Sequence, residues 1–346
     1  MQAVRGKPLP FTPLDRLQAT MANGSNHQTT GECSALRDAA RAHDRPTLTH
    51  TLGPKRLGDY RGYGEMLAAL VALEARGARV REMGRSVLGE PLFAVELGAQ
   101  AKPGIPTSVV LSAVHPIEWI GIETHLALLE RLIDCPPTDR VIVCIPIVNP
   151  DGVVRVEHNL RAGMRRFVRH NARGVDLNRN FDVAWGQRGF LQRLLSPIFS
   201  RGAGPESEPE VAAVARELRE RRVDRALSLH SFGAVVMYPP ARSVVPIAQT
   251  AEHRAYAQHI ATAADDKPYT VWPSSWWSLG FVQMGLELDW FYERHGATSL
   301  LVECSRLDFM RRPARILDPF AWFNPENRAA VADRIANAVT AFVRGD

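Results

Sequence analysis

The spacing of apolar residues changes along this chain, and each change marks an element. Residues 1 to about 50 are polar, rich in Thr, Asn, Gln and His, and show no period. That pattern predicts a mobile, disordered N-terminal extension over 1–54, with order starting near Tyr60. GEMLAALVALEARG then predicts a helix ending at Gly77. MGRSVLGEPLFAVELG predicts two short strands about a glycine-containing turn. TSVVLSAV and VIVCIPIV are unbroken apolar runs, as in strands buried on both faces. Between them WIGIETHLALLERLI is amphipathic and helical. Asn149-Pro150-Asp151-Gly152 stops the second run with a strong turn signal, and a long loop is expected over 153–200. Ser207-Glu208-Pro209-Glu210 predicts a capping box, with Ser207 as N-cap and Glu210 at N3, that opens the helix VAAVARELRER. RALSLH and TSLLVE predict strands, and PENRAAVADRIANAVTAFV a closing helix. Strands alternate with helices from residue 55 to 346, which implies one α/β domain with helices on both faces of its sheet.

Composition adds bounds to that outline. Of 346 residues, 45% are apolar and 23% charged, ordinary for a globular chain. No stretch reaches the roughly 20 apolar residues of a membrane span. The N-terminal MQAVRGKPLPFTPLDRLQ lacks the apolar core of a secretory signal, so a cytoplasmic location is expected. Cys33, Cys135, Cys144 and Cys304 have no C-x-x-C spacing, and Cys144 and Cys304 read as buried thiols of a reduced compartment. The net charge of +5 collects partly in RAGMRRFVRHNAR, residues 161–173. No aromatic interleaving or helix-turn-helix pattern accompanies it, so nucleic acid is not expected as a partner. A solvated face or a funnel for an anionic substrate remains.

In open α/β sheets ligands bind beyond the carboxyl ends of the strands. TSVVLSAV runs into His115, RALSLH ends in His230, and TSLLVE ends in Glu303. Pro116 biases His115 to an extended conformation, and Glu118 falls in the first turn of the next helix. With His230 the pair makes two imidazoles and a carboxylate, a set typical of catalytic zinc with one position open. H-x-x-E alone fits an ordinary turn as well. The H-E-x-x-H helix motif is absent. Glu303 reads either as a buried carboxylate paired with Arg306 or as a general base for water. Burial raises the pKa of such a carboxyl and a zinc cation lowers it. In GVDLNRNF, residues 174–181, Asn178 and Arg179 can grip a carboxylate. Asp176 can hold the outer nitrogen of a zinc histidine. A polar turn with local hydrogen bonds explains the same residues.

Together these pieces resemble the zinc metallocarboxypeptidases, the carboxypeptidase A-like enzymes, over roughly residues 55–345. The resemblance rests on MGRSVLGEPLF, HPIEW, NPDG, GVDLNRNF, SEPE, LHSF, DWFY and LLVEC in that order. It implies a mixed, mostly eight-stranded sheet and one zinc ion (Zn2+) per chain, with His115, Glu118 and His230 as ligands. It implies Glu303 as the base, Asn178 and Arg179 as the clamp on a terminal carboxylate, and Asp176 as the partner of His115. Arg169 fits the carbonyl-polarising arginine of the family, with Arg166 and Arg165 as alternatives. Phe281 stands where many members have a mobile tyrosine, so either Tyr292 or Tyr269 substitutes or none does. Leu288 resembles the floor of the specificity pocket and favours uncharged side chains, whereas Glu287 beside it favours a basic or diamino acid. Trp272, Trp276 and Trp277 line a groove or simply pack.

The expected activity is hydrolysis of a peptide bond at the C-terminal end of a peptide, with water activated by zinc and Glu303. A cell-wall peptide amidase and an N-acyl amino acid deacylase are close alternatives. An inactive peptide- or nucleic-acid-binding module is the alternative of another class. No membrane partner is expected, and nothing in the sequence sets the oligomeric state.

Overall fold

The computed structural model describes residues 33–44, 57–187, 194, 198–277, 279, 282–306 and 315–346. Eight strands form one mixed sheet in the order β1-β2-β4-β3-β5-β8-β6-β7. They are β1 (Arg79–Arg85), β2 (Pro91–Gly98), β3 (Pro106–Ser112), β4 (Val141–Ile145), β5 (Arg222–His230), β6 (Val235–Tyr238), β7 (Thr270–Pro273) and β8 (Thr298–Glu303). The central β4, β3, β5 and β8 run parallel, while β2 and β6 flank them antiparallel.

The unbroken apolar runs arise because both faces of these strands are covered. Along β4, Ile142 and Cys144 join one core cluster, and Val141, Val143 and Ile145 join another. The first cluster receives the helices Tyr63–Ala75, Trp119–Asp134, Thr250–Ala263 and Arg328–Arg344. The second receives Pro209–Leu218 and Glu287–His295. Burying each Val, Leu or Ile in these layers contributes about 1.5–3 kcal/mol. The parallel central strands therefore finish at one common edge.

Three local expectations are corrected. Asn149-Pro150-Asp151-Gly152 does not lead into a long loop but starts a helix, Pro150–Arg161. Asn149 caps it by accepting from the Gly152 N–H at 3.0 Å, and proline at the first helical position has the right φ already. The helix Pro209–Leu218 has Glu208, not Ser207, at its N-cap. The Glu208 N–H goes to Asn180 Oδ1 at 3.0 Å, and the Ser207 hydroxyl bonds Glu208 Oε1 at 3.0 Å, so the box does not form. Part of the expected extension is a helix, Ser34–Asp44. Its Leu36 is fully buried, and Arg37 donates to Glu74 Oε2 at 3.1 Å. Residues 1–32 and 45–56 lie outside the described residues. Among the described residues no helix is long and apolar enough to cross a membrane.

Candidate metal centre

Chain geometry at the carboxyl edge brings distant residues together. After β3, Ala113 takes a φ of 51°, a left-handed turn that costs an alanine about 1–2 kcal/mol. The Ser112 and Ala113 carbonyls are then pinned by the Val148 and Asn149 N–H groups at 3.2 and 3.1 Å. Glu118 is the N-cap of the helix Trp119–Asp134. Asn324 holds that helix start, accepting from the Ile120 N–H at 2.9 Å and donating to the Ile117 carbonyl at 2.8 Å. Gly121 lets the first turn lie directly on β5, because a Cβ there would sit 2.7 Å from the Leu229 carbonyl oxygen. His230 follows Leu229, and it pairs in register with Glu303 across β5 and β8.

His115, Glu118 and His230 are all buried, with ligand atoms within 4.8 Å of one another. His115 Nδ1 is 2.9 Å from Glu118 Oε1, and His230 Nδ1 is 2.9 Å from Glu118 Oε2. The two Nδ1 atoms are 3.2 Å apart. Each outer nitrogen faces a carboxylate: His115 Nε2 is 3.2 Å from Asp176 Oδ1, and His230 Nε2 is 2.7 Å from Glu287 Oε1. A carboxylate on Nε2 keeps a hydrogen there, so a cation that replaces the Nδ1 proton would meet the Nδ1 lone pair. Two such lone pairs and a carboxylate aimed at one point are a donor set that suits zinc. Burial works to raise the Glu118 carboxyl, but the two imidazoles pull it down to about 2. Burial opposes a charged His230, yet Glu118 and Glu287 hold it well above its ordinary value.

The other expected residues surround this point. Glu303 Oε2 is buried without a hydrogen-bond partner. Burial, then the Glu118 charge, pushes the Glu303 carboxyl up to about 8. Arg306 does not pair with it; the guanidinium bonds Asp265 at 2.9 Å instead. Asp176 Oδ2 accepts from Arg169 Nε at 2.9 Å, while Arg165 and Arg166 are exposed. Asn178 donates its N–H to Asp176 Oδ1 at 3.1 Å. Arg179 donates to the Asn178 carbonyl at 2.5 Å and also to Gln283 Oε1, and its guanidinium lies 4.8 Å from the Phe199 ring centre.

A family model described as zinc carboxypeptidase matches residues 63–321. The chain belongs to the zinc carboxypeptidase family. It is 29% identical over 232 residues to carboxypeptidase A6 of Mus musculus, covering 62% of this chain and 52% of the mouse protein. To carboxypeptidase A6 of Homo sapiens it is 30% identical, over 61% of this chain and 51% of the human protein. The chain thus spans about half the length of these curated relatives. Among solved structures, carboxypeptidase A from Helicoverpa armigera superposes with a TM-score of 0.62 at 21% identity, over 90% of this chain and 80% of that one. The likeness is one of fold, and the eight-stranded mixed sheet agrees with it.

Leu288 is fully buried in a cluster with Val235, Met237 and Leu301. Phe281 lies outside the described residues. The Tyr269 hydroxyl donates to the Cys304 carbonyl at 3.0 Å, and that of Tyr292 to Gln249 at 2.6 Å. Trp276 is 63% exposed, whereas Trp277 packs against Gly233, where an added Cβ would lie 2.7 Å from its ring. Glu287 is fully buried. Its contact with His230 escaped the sequence reading, because 57 residues separate the two and no local motif links them.

Proposed function

We propose that this chain is a zinc-dependent carboxypeptidase that removes the terminal residue of a peptide carrying a free C-terminal carboxylate. The observation that carries the reading is the convergence of two Nδ1 atoms and a carboxylate, each imidazole backed by a second carboxylate. His115, Glu118 and His230 would hold one zinc ion. When bound, zinc supplies a Lewis acid that acidifies water and polarises a carbonyl.

The remaining chemistry falls to the chain's own groups. Asn178 and Arg179 bind the substrate's terminal carboxylate, which places the last peptide bond beside Glu303. Glu303 takes a proton from the attacking water as the new C–O bond forms. It then gives that proton to the amine nitrogen as the C–N bond breaks. Burial raises its pKa and the cation lowers it, so the two effects set it between acid and base. Arg169, held by Asp176, steadies the negative charge that builds on the carbonyl oxygen.

The test pairs elemental analysis with release of free amino acids from a mixed peptide library, using Glu303→Gln as control. About one zinc per chain and release that the variant loses are expected. Absence of bound zinc after zinc is supplied, or equal release by the variant, would overturn the proposal.

A further inference from the structure

The helix Glu287–His295 begins beneath the metal centre, and its first residue makes contacts that a helix N-terminus does not require. Glu287 Oε1 is 2.7 Å from His230 Nε2, accepts from Asn178 Nδ2 at 2.9 Å, and accepts from the Ser228 hydroxyl at 3.0 Å. Its own N–H donates to Asn178 Oδ1 at 3.1 Å. The residue is fully buried, and Oε2 has no partner.

These bonds fix two functional side chains at once. The Nε2–H of His230 is committed to Glu287, which turns Nδ1 toward Glu118. The Asn178 amide is gripped at both ends, its oxygen by the Glu287 N–H and one amide hydrogen by Oε1. An amide held this way cannot flip, and its second hydrogen stays available to an incoming anion. A buried oxygen with three donors is also strongly polarised, since in low dielectric each contact strengthens the others.

We infer that Glu287 is a positioning residue that ties the histidine ligand His230 to the substrate-carboxylate contact Asn178, so that metal site and substrate-tail site are set by one side chain. The inference rests on the proposed carboxypeptidase reading. It assigns Glu287 no proton transfer and no direct contact with substrate.

Glu287→Gln is the informative variant, because it keeps size and can keep Oε1 as acceptor while removing the charge. Glu287→Leu removes the acceptor as well. Circular dichroism and urea unfolding first establish that each is folded. Zinc affinity is then read by chelator competition, and KM is compared for a peptide with a free C-terminus and for its C-terminal amide. Glu287→Gln should weaken zinc binding by roughly 10–100-fold. It should raise KM for the free carboxylate and leave the amide's KM unchanged. In an Asn178→Ala background the KM effect should vanish while the zinc effect persists.

Unchanged zinc affinity and unchanged discrimination in folded Glu287→Gln would overturn the inference. So would a KM effect that survives Asn178→Ala. A wild-type protein that binds no zinc would instead defeat the carboxypeptidase reading itself, so the two failures are told apart.

Discussion

Asp176 meets four groups beside the candidate metal centre: His115, Arg169, Asn178 and Arg179. Oδ1 serves His115 Nε2 and the Asn178 N–H, and Oδ2 serves Arg169 Nε. Arg179 lies 4.0 Å from the same oxygen. Burial works to raise this carboxyl, but Arg169 and Arg179 hold it well below the usual range. Asp176→Ala would leave two guanidiniums and an imidazole without their anion in a buried site, and breaking such a set costs about 3–5 kcal/mol. Asp176→Asn keeps the shape and loses the charge. Its expected outcome is a lower urea midpoint and zinc affinity weakened roughly tenfold or more, by chelator competition. An unshifted midpoint in Asp176→Asn would show that the charge does not hold the arginines. Asp176 was legible in the sequence because it stands beside Asn178 and Arg179 in one short run. Glu287 was not, because its partners His230 and Asn178 lie 57 and 109 residues away.

Strand ends were the most legible elements. His230 and Glu303 each close an apolar run that a two-sided core demands, so alternation and burial pointed to them without further geometry. The helix Pro150–Arg161 was missed because asparagine and proline signal a turn and a helix start with the same residues. The helix Ser34–Asp44 was missed because Leu36 gains meaning only against the core and Arg37 only against Glu74. Close approach between elements was likewise invisible beforehand, and Gly121 is a clear case beside the metal ligands. A methyl group there meets backbone, the Leu229 carbonyl oxygen, at 2.7 Å. Gly121→Ala should push the helix off β5 at a cost of about 1–3 kcal/mol, and should separate Glu118 from His230. Zinc content after dialysis should fall while circular dichroism stays near wild type; full retention of zinc would contradict the assigned role of that contact. Asp289 gives the element scale a pH dependence. It accepts from the Ala241 and Arg242 N–H groups at 2.9 and 2.8 Å, yet burial pushes its carboxyl up from the ordinary 3.8 to about 6. The native state therefore holds this proton more tightly than the unfolded chain. The group's contribution is full below about pH 4 and is lost as pH rises to about 6. Asp289→Asn should remove that slope. The wild type's stability relative to the variant should fall by about 2 kcal/mol between pH 4 and 7, read from urea midpoints. Parallel curves for the two proteins would rule this out.

At the scale of the whole molecule, the candidate metal centre draws its groups from separate elements. His115 and Glu118 follow β3, His230 ends β5, and the carboxylates behind them come from the turn at Asp176 and the helix start at Glu287. Glu118 already raises the pKa of Glu303, so acidic groups press on one another where a cation would sit. The unfolded chain scatters the three ligands, and a cation bound there stabilises only the native state. At free zinc one hundredfold above Kd that linkage contributes about 2.7 kcal/mol. For a domain of this size it corresponds to roughly 4–5 °C in melting temperature. Chelation of the zinc-loaded protein should lower Tm by that amount, and added zinc should restore it. Magnesium should not, because a hard cation prefers an all-oxygen shell to two imidazole nitrogens. The same titration on His115→Ala should show no zinc-dependent rise, since the site then keeps only Glu118 and His230. A melting temperature that ignores both chelator and zinc in the wild type would mean that these three side chains hold no zinc.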